Sequence, residues 1–316
     1  MRLKEYLFDI GMWFFWFPLR AVVKRLPLRL SYGITRVLAY VVSAFFKELR
    51  ENIKEQLLYI VPDKPEELDR LSKETIVCDL KRRMEELLLG TFSKEQIERI
   101  ITYEGTDNLN ESVARGKGTI ILLSHFGSFF MILPALAFKG YQVSQIAGPS
   151  PYNSKIQRMI LRARQSENTR LPVKFILSEN GLRPVFNALK NNELVAMALD
   201  GRAGDQWVDC QFLGTTAWFS SGILKLAIKT GAAVLPAYII RQKDDTHSLV
   251  FERPVFTENL STDTATLTEY TQMFVSILEG YVLRYPAQFA MIMTIVAGNV
   301  RKGICKKPLL KPLTGS

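Results

Sequence analysis

The sequence predicts an α/β fold: a mainly parallel sheet flanked by helices, preceded by an N-terminal membrane-associated helical segment. Three observations predict it. From residue 117 onward, short apolar runs alternate with amphipathic stretches of about ten residues. Residues 48–100 are rich in charge, with apolar residues at helical spacing. Residues 1–50 combine an aromatic cluster with an excess of basic side chains.

The N-terminal segment comes first. Trp13, Phe14, Phe15, Trp16 and Phe17 lie inside the uncharged stretch 10–19, and a second uncharged stretch covers 37–46. Each falls well short of the ~20 residues that span a bilayer. Arg20, Lys24, Arg25, Arg29 and Arg36 lie between them, and arginine is costly at the bilayer centre. Interfacial helices fit this pattern: aromatic rings sink to headgroup depth while Lys and Arg meet lipid phosphates. Glu5 and Asp9 interrupt the start, which argues against a cleaved signal peptide.

Charge placement agrees. The formal net charge is +10, but residues 1–50 hold nine basic against three acidic residues, and residues 301–316 hold five basic and none acidic. The stretch between is close to neutral. A nucleic-acid binder would carry its charge on the folded body; basic ends beside apolar segments suit an anionic membrane surface. The expected division is therefore 1–50 as interfacial anchoring helices, 51–300 as the α/β domain and 301–316 as a basic flexible tail. Cys78, Cys210 and Cys305 are far apart and lack Cys-x-x-Cys spacing, so neither zinc nor a disulfide framework is expected.

Helices are expected over 48–59 and 65–89, with Pro62 and Pro65 at the turn between them. Strands are then expected over 119–124, 142–146, 173–177, 194–199, 233–240 and 249–252. The intervening helices cover 127–138, 154–164, 181–190 and 220–229, and a long helix covers 267–285. No element is assigned between 199 and 220.

In such sheets, functional groups collect at the carboxyl ends of strands. His125 follows the apolar run Ile120-Ile121-Leu122-Leu123-Ser124, and Asp200 follows the run ending at Leu199. If those strands are neighbours, the carboxylate can fix the imidazole tautomer and stabilise its charged form. His125 is therefore the candidate general base and Asp200 its partner. The alternatives are a structural histidine and a turn aspartate before Gly201. Backbone N–H groups around Gly127 and Ser128 could hold an oxyanion or a phosphate. The sequence contains neither a Gly-x-Ser-x-Gly elbow nor a nucleotide-binding glycine pattern. A base without a protein nucleophile points to direct attack by a substrate hydroxyl or amine. His247, in Asp244-Asp245-Thr246-His247, is expected in a solvated polar turn, Ser220 and Ser221 as helix caps, and Cys210 in the core.

At this point a family resemblance becomes visible. Ser124-His125-Phe126-Gly127-Ser128 resembles the first block of the bacterial lipid A late acyltransferases, within the glycerolipid acyltransferase superfamily. The likeness continues through residues 181–190, Leu199-Asp200-Gly201-Arg202, Phe212-Leu213-Gly214, residues 226–236 and Arg241, and includes Arg50-Glu51-Asn52-Ile53. It implies acyl transfer from acyl carrier protein or acyl-CoA to a lipid hydroxyl, at the cytoplasmic face of the bacterial inner membrane, by a peripheral or monotopic enzyme. It implies no cofactor or metal and no nucleic-acid partner. It also suggests that Arg162 or Arg164 contacts a phosphate; Arg202 is a further candidate for substrate binding.

Two departures stand out. The superfamily signature places an acid five residues after the histidine, and here that residue is Phe130. The basic-aromatic block near the family's C-terminus is replaced by residues 289–296, Phe-Ala-Met-Ile-Met-Thr-Ile-Val. Either Asp200 has taken over the orienting role, which is the reading adopted here, or the protein is an inactive relative that binds lipid or acyl carrier protein. Hydrolysis of acyl thioesters by the same base is a third reading.

Overall fold

The computed structural model describes residues 3–147, 154–168, 171–177, 181–202, 206–301 and 308–310. Its strands are β1 (Ile101–Glu104), β2 (Thr119–Leu123), β3 (Val143–Ala147), β4 (Val173–Leu177), β5 (Leu194–Ala198), β6 (Trp207–Phe212), β7 (Thr215–Ser220), β8 (Ala233–Arg241) and β9 (His247–Phe251). The helices before the sheet are α1 (Leu3–Phe14), α2 (Arg20–Val23), α3 (Leu28–Phe45), α4 (Lys47–Ile60), α5 (Leu68–Leu88) and α6 (Lys94–Ile100). Those within and after it are α7 (Thr106–Ala114), α8 (Ile132–Phe138), α9 (Lys155–Asn168), α10 (Arg183–Lys190), α11 (Gly222–Thr230), α12 (Thr264–Arg284) and α13 (Ala290–Arg301).

Seven strands form one sheet in the order β1-β9-β8-β2-β5-β3-β4. Every neighbouring pair is parallel except β8–β9, a hairpin. This is the mainly parallel α/β sheet that the alternating pattern predicts. All five residues of β2 are buried, and the sheet separates two apolar clusters, one on each face. That explains the uninterrupted Thr-Ile-Ile-Leu-Leu: a central parallel strand covered on both faces has no polar side to show.

Several elements escape the assigned ranges, α6 and α7 among them. β1 is a short edge strand, and only Ile101 of its four residues is buried. β6 and β7 form a separate antiparallel hairpin, with β6 alternating buried and exposed residues. α13 follows Phe289 directly. The helix expected from 127 begins later: a single 3₁₀ turn, Phe129–Met131, leads into α8. The loop from Ser124 to Ser128 thus remains non-helical, which frees its backbone for the site. Ser221 takes the N-cap position of α11 but makes no side-chain cap bond; the Ser220 hydroxyl accepts from the Gly222 N–H instead. Most of the predicted tail, 302–307 and 311–316, and with it Cys305, lies outside the described residues.

Helix α3 carries an unusual pattern. Its buried face is Ser31, Tyr32, Thr35, Ala39 and Ser43, whereas Leu30, Ile34, Val37, Leu38, Val41 and Phe45 are exposed. A helix on a water-facing surface buries its apolar stripe; α3 does the reverse. Among the described residues, no helix is long and apolar enough to cross a membrane.

Candidate active site

Sheet order brings His125 and Asp200 together. β2 and β5 pair in parallel as far as Leu123↔Ala198, and the Leu199 N–H extends the ladder to the Leu123 carbonyl. Two residues beyond that pair, on each strand, stand His125 and Asp200. The Asp200 carboxylate accepts the His125 backbone N–H, 3.1 Å from each oxygen, and its Oδ1 lies 3.0 Å from His125 Nδ1. One carboxylate therefore fixes both the backbone and the ring. With Nδ1–H donated to Asp200, Nε2 is the basic nitrogen.

The electrostatics follow from the pairing. The Asp200 charge raises the His125 pKa above its ordinary value, outweighing burial, which pushes it down. Burial pushes Asp200 up, but the His125 charge, its two kinds of hydrogen bond and nearby Arg202 hold the carboxyl below its usual range. The ring's other side stays accessible: the His125 side chain is 37% exposed and that of Asp200 1%. An edge-on contact with Phe129, at 4.8 Å between ring centroids, limits the tilt of the imidazole.

His125 opens onto a cavity of about 780 Å³ lined largely by apolar residues, among them Leu123, Phe130, Leu133, Ile146, Met197 and Ile223. Its origin lies in the sheet. The β3–β5 ladder stops at Gln145↔Ala196, while β2–β5 continues to Ala198 and β3–β4 to Ala147↔Leu177. The strands part at their carboxyl ends, and the cavity is lined from both edges of the gap. Phe130, at the position of the signature acid, is a wall of this cavity and stacks edge-on against Phe129.

The other predicted residues fall out unevenly. Gly127 adopts φ +55°, and a Cβ there would collide with the Ile239 carbonyl. Its N–H is given to the Gln288 carbonyl, so Gly127 does not supply the oxyanion donor expected of it; its contribution is the turn. The N–H groups of Ser128 and Phe129, at the start of the 3₁₀ turn, have no acceptor among the described residues. Arg202 is also placed differently from expectation. Its Nε donates to the Asp200 carbonyl and its Nη1 to those of Trp218 and Pro308, with the guanidinium 4.8 Å from the Trp207 ring centroid. These contacts make it a strut between the end of β5 and the β6–β7 hairpin. Arg162 is exposed on α9; the side chain of Arg164, on the same helix, lies outside the described residues.

Sequence reasoning missed a second polar cluster behind this loop. Glu85 of α5 is fully buried and accepts from Tyr32 Oη (2.5 Å), Ser128 Oγ (2.5 Å), Arg241 Nη2 (2.7 Å) and His247 Nε2 (3.1 Å). Burial pushes its carboxyl upward, but the charges of Arg241 and His247 pull it well below the usual range. His247, expected in a solvated turn, is completely buried. The polar run before it is indeed a hairpin turn, closed by Gln242 N–H to Thr246 O at 2.8 Å; but His247 is already the first residue of β9, sandwiched between β1 and β8. The signal for Glu85 was present: it lies two heptads from Leu71 and three residues before Leu88, both buried on α5.

A profile of the bacterial lipid A biosynthesis acyltransferases matches residues 3–294. The chain belongs to this family. Phosphatidylinositol mannoside acyltransferases from two strains of Mycobacterium tuberculosis, CDC 1551 / Oshkosh and ATCC 25618 / H37Rv, are each 29% identical over 147 residues, or 45% of this chain and 44% of the relative. The match thus spans less than half the length of these curated relatives. The crystal structure of the 1-acyl-sn-glycerophosphate acyltransferase PlsC from Thermotoga maritima is 15% identical, covers 81% of this chain and 98% of its own, and has a TM-score of 0.38; a likeness so distant carries no weight here. The carboxylate bonded to the histidine is Asp200.

Proposed function

We propose that the protein moves a fatty acyl group from a thioester, on acyl carrier protein or coenzyme A, to a hydroxyl of a lipid or glycolipid. The observation that carries this reading is the Asp200–His125 pair, at 3.0 Å, set against an apolar cavity of about 780 Å³. That volume lies within the range of ordinary ligand pockets, and the lining suits an acyl chain. The Mycobacterium relatives bear the name phosphatidylinositol mannoside acyltransferase, in keeping with a glycolipid acceptor.

The mechanism follows from the atoms. The acceptor oxygen attacks the thioester carbonyl carbon while His125 Nε2 takes its proton. Asp200 holds Nδ1–H and stabilises the imidazolium. The Ser128 and Phe129 N–H groups receive the charge developing on the carbonyl oxygen. The C–S bond then breaks, and the imidazolium returns its proton to the departing thiolate.

The exposed apolar face of α3, with Arg25, Arg29 and Arg36 exposed beside it, supports a peripheral or monotopic position on an anionic bilayer, at the cytoplasmic face of the inner membrane. In this reading residues 1–50 anchor, 51–300 form the catalytic domain and 301–316 are a basic tail.

The test uses radiolabelled palmitoyl-CoA with vesicles containing a glycolipid acceptor. Label is expected in the lipid fraction, and His125→Ala is expected to reduce transfer by about 10²–10⁴-fold. Undiminished transfer by His125→Ala overturns the mechanism. Release of free fatty acid alone identifies a hydrolase, and an intact thioester identifies an inactive relative.

A further inference from the structure

Asp200 stands beyond the last rung of the sheet. The β2–β5 ladder ends with the Leu199 N–H on the Leu123 carbonyl, so strand pairing does not hold the Asp200 main chain. Its carboxylate is bonded to His125. A side chain orients a catalytic group only when its own position is locked by packing and further hydrogen bonds.

Arg202 supplies such a lock. Its Nε donates to the Asp200 carbonyl at 3.0 Å, and its Nη1 donates to the Trp218 carbonyl at 2.9 Å and the Pro308 carbonyl at 3.2 Å. The donors of a guanidinium leave in a rigid planar fork, so three carbonyls from distant parts of the chain are held at fixed spacing. The same group lies 4.8 Å from the Trp207 ring centroid and 5.9 Å from that of Phe219, one ring from each strand of the hairpin.

The third carbonyl comes from the far end of the chain. Leu309 is 4% exposed and belongs to the same apolar cluster as Ala217 and Phe219 of β7. The Trp218 N–H donates to the Leu309 carbonyl at 3.1 Å. Leu310 forms an antiparallel bridge with Ala217, whose other neighbour is Cys210 of β6. Residues 308–310 thus dock on the hairpin, and seating Leu309 in the core sets the Pro308 carbonyl against Arg202.

We propose that Arg202 is the positioning residue for Asp200, and that the C-terminal segment 308–310 clamps it. Arg202 acts through the Asp200 main chain, not on the substrate. The end of the chain is then part of the apparatus that aims the imidazole. The proposal rests on the acyl-transfer reading for its catalytic meaning; the placement of Asp200 can be read without turnover.

The experiment is an NMR titration of the His125 ring in the full chain. There are two histidines, and His125→Ala identifies the resonance. Asp200 favours protonation of His125, while Arg82 and Arg202 oppose it. Two variants disturb the clamp without changing the net charge. Arg202→Lys keeps the cation but loses the planar fork, and Leu309→Ser unseats the terminal segment. In both, the His125 titration is expected to fall toward the ordinary 6.5 as the carboxylate loosens. Weakened packing of the tail alone would leave that titration in place. Circular dichroism checks that each variant folds, and the two variants give independent readings. Acyl transfer, measured alongside, is expected to lose about 10²-fold in kcat, the cost of a small misplacement, with KM little changed. A His125 titration unchanged in both variants overturns the proposal, and one that falls in Arg202→Lys alone overturns the clamp. Thioester consumption by wild type against His125→Ala, measured separately, tests the acyl-transfer reading, so the two failures are distinguishable.

Discussion

The chain has two histidines, and each meets a buried carboxylate from a distant part of the sequence. His125 bonds to Asp200 at 3.0 Å and His247 to Glu85 at 3.1 Å. The lengths are nearly alike, yet the settings are opposite. His125 stands past the end of a strand with its ring partly open to two cavities. His247 is inside the sheet and sealed, and its buried Nδ1 has no hydrogen-bond partner among the described residues. An Asp–His or Glu–His contact is therefore no mark of catalysis by itself. What separates the two is whether the nitrogen opposite the carboxylate can reach a substrate. The Glu85 cluster is better understood as a tie: it joins α3, α5, the Ser128 loop and the end of β8 through one carboxylate. The loop that carries His125 is thereby anchored on one side by Asp200 and on the other by Glu85 and Gln288.

The sharpest way to break this contrast is Asp200→Asn. If the first pair is catalytic, turnover falls by about 10⁴ as in serine proteases that lose the orienting carboxylate, while the fold survives. Steady-state acyl transfer alongside circular dichroism reads both quantities. A loss of less than tenfold makes the two pairs equivalent and ends the dyad proposal.

Glu85→Ala is expected to act in the other currency. It strands a buried guanidinium and a buried imidazole, and breaking such a pair typically costs about 3–5 kcal/mol. The urea midpoint should fall accordingly; a shift worth less than about 1 kcal/mol shows that the cluster is not the tie described here.

Phe130→Asp restores the acid of the family signature on paper. No gain in rate is expected, because Nδ1 already belongs to Asp200. A loss of stability of about 1–3 kcal/mol is expected instead, from a polar group facing an apolar cavity. A rate increase would mean that the position after the turn still governs the imidazole.

The smallest effect is in pH. Because Asp200 raises the His125 pKa above 6.5, the base is protonated, and inactive, over more of the acidic range. Transfer should rise with pH through an inflection above 6.5, and Asp200→Asn should move that inflection downward. An unchanged inflection in the variant detaches the titration from this pair.

Much of the fold was legible because it depends on neighbours in sequence. Apolar runs such as residues 119–123 identify core strands by period and length alone. β1 and the β6–β7 hairpin were not legible: the first is a four-residue edge, and the second is a hairpin set apart from the main sheet. The failure at His247 is instructive. Asp244, Asp245 and Thr246 do form a turn, exposed at Asp244 and half-buried at the other two, and local polarity gave no sign that the chain enters the middle of a sheet one residue later. Gly127 was singled out for its N–H, but the use made of that N–H depends on Gln288, 161 positions away.

The sequence alone determined the order and type of most elements, the presence of a histidine and an aspartate at strand ends, and a phenylalanine rather than a carboxylate at position 130. These are local properties, set by side-chain period and chemistry. Only the tertiary structure decided that β5 lies beside β2, that the sheet parts between β3 and β5, and that Asp200 rather than Arg202 faces the site. Strand order is fixed by how whole layers pack, and no window of the chain contains that information.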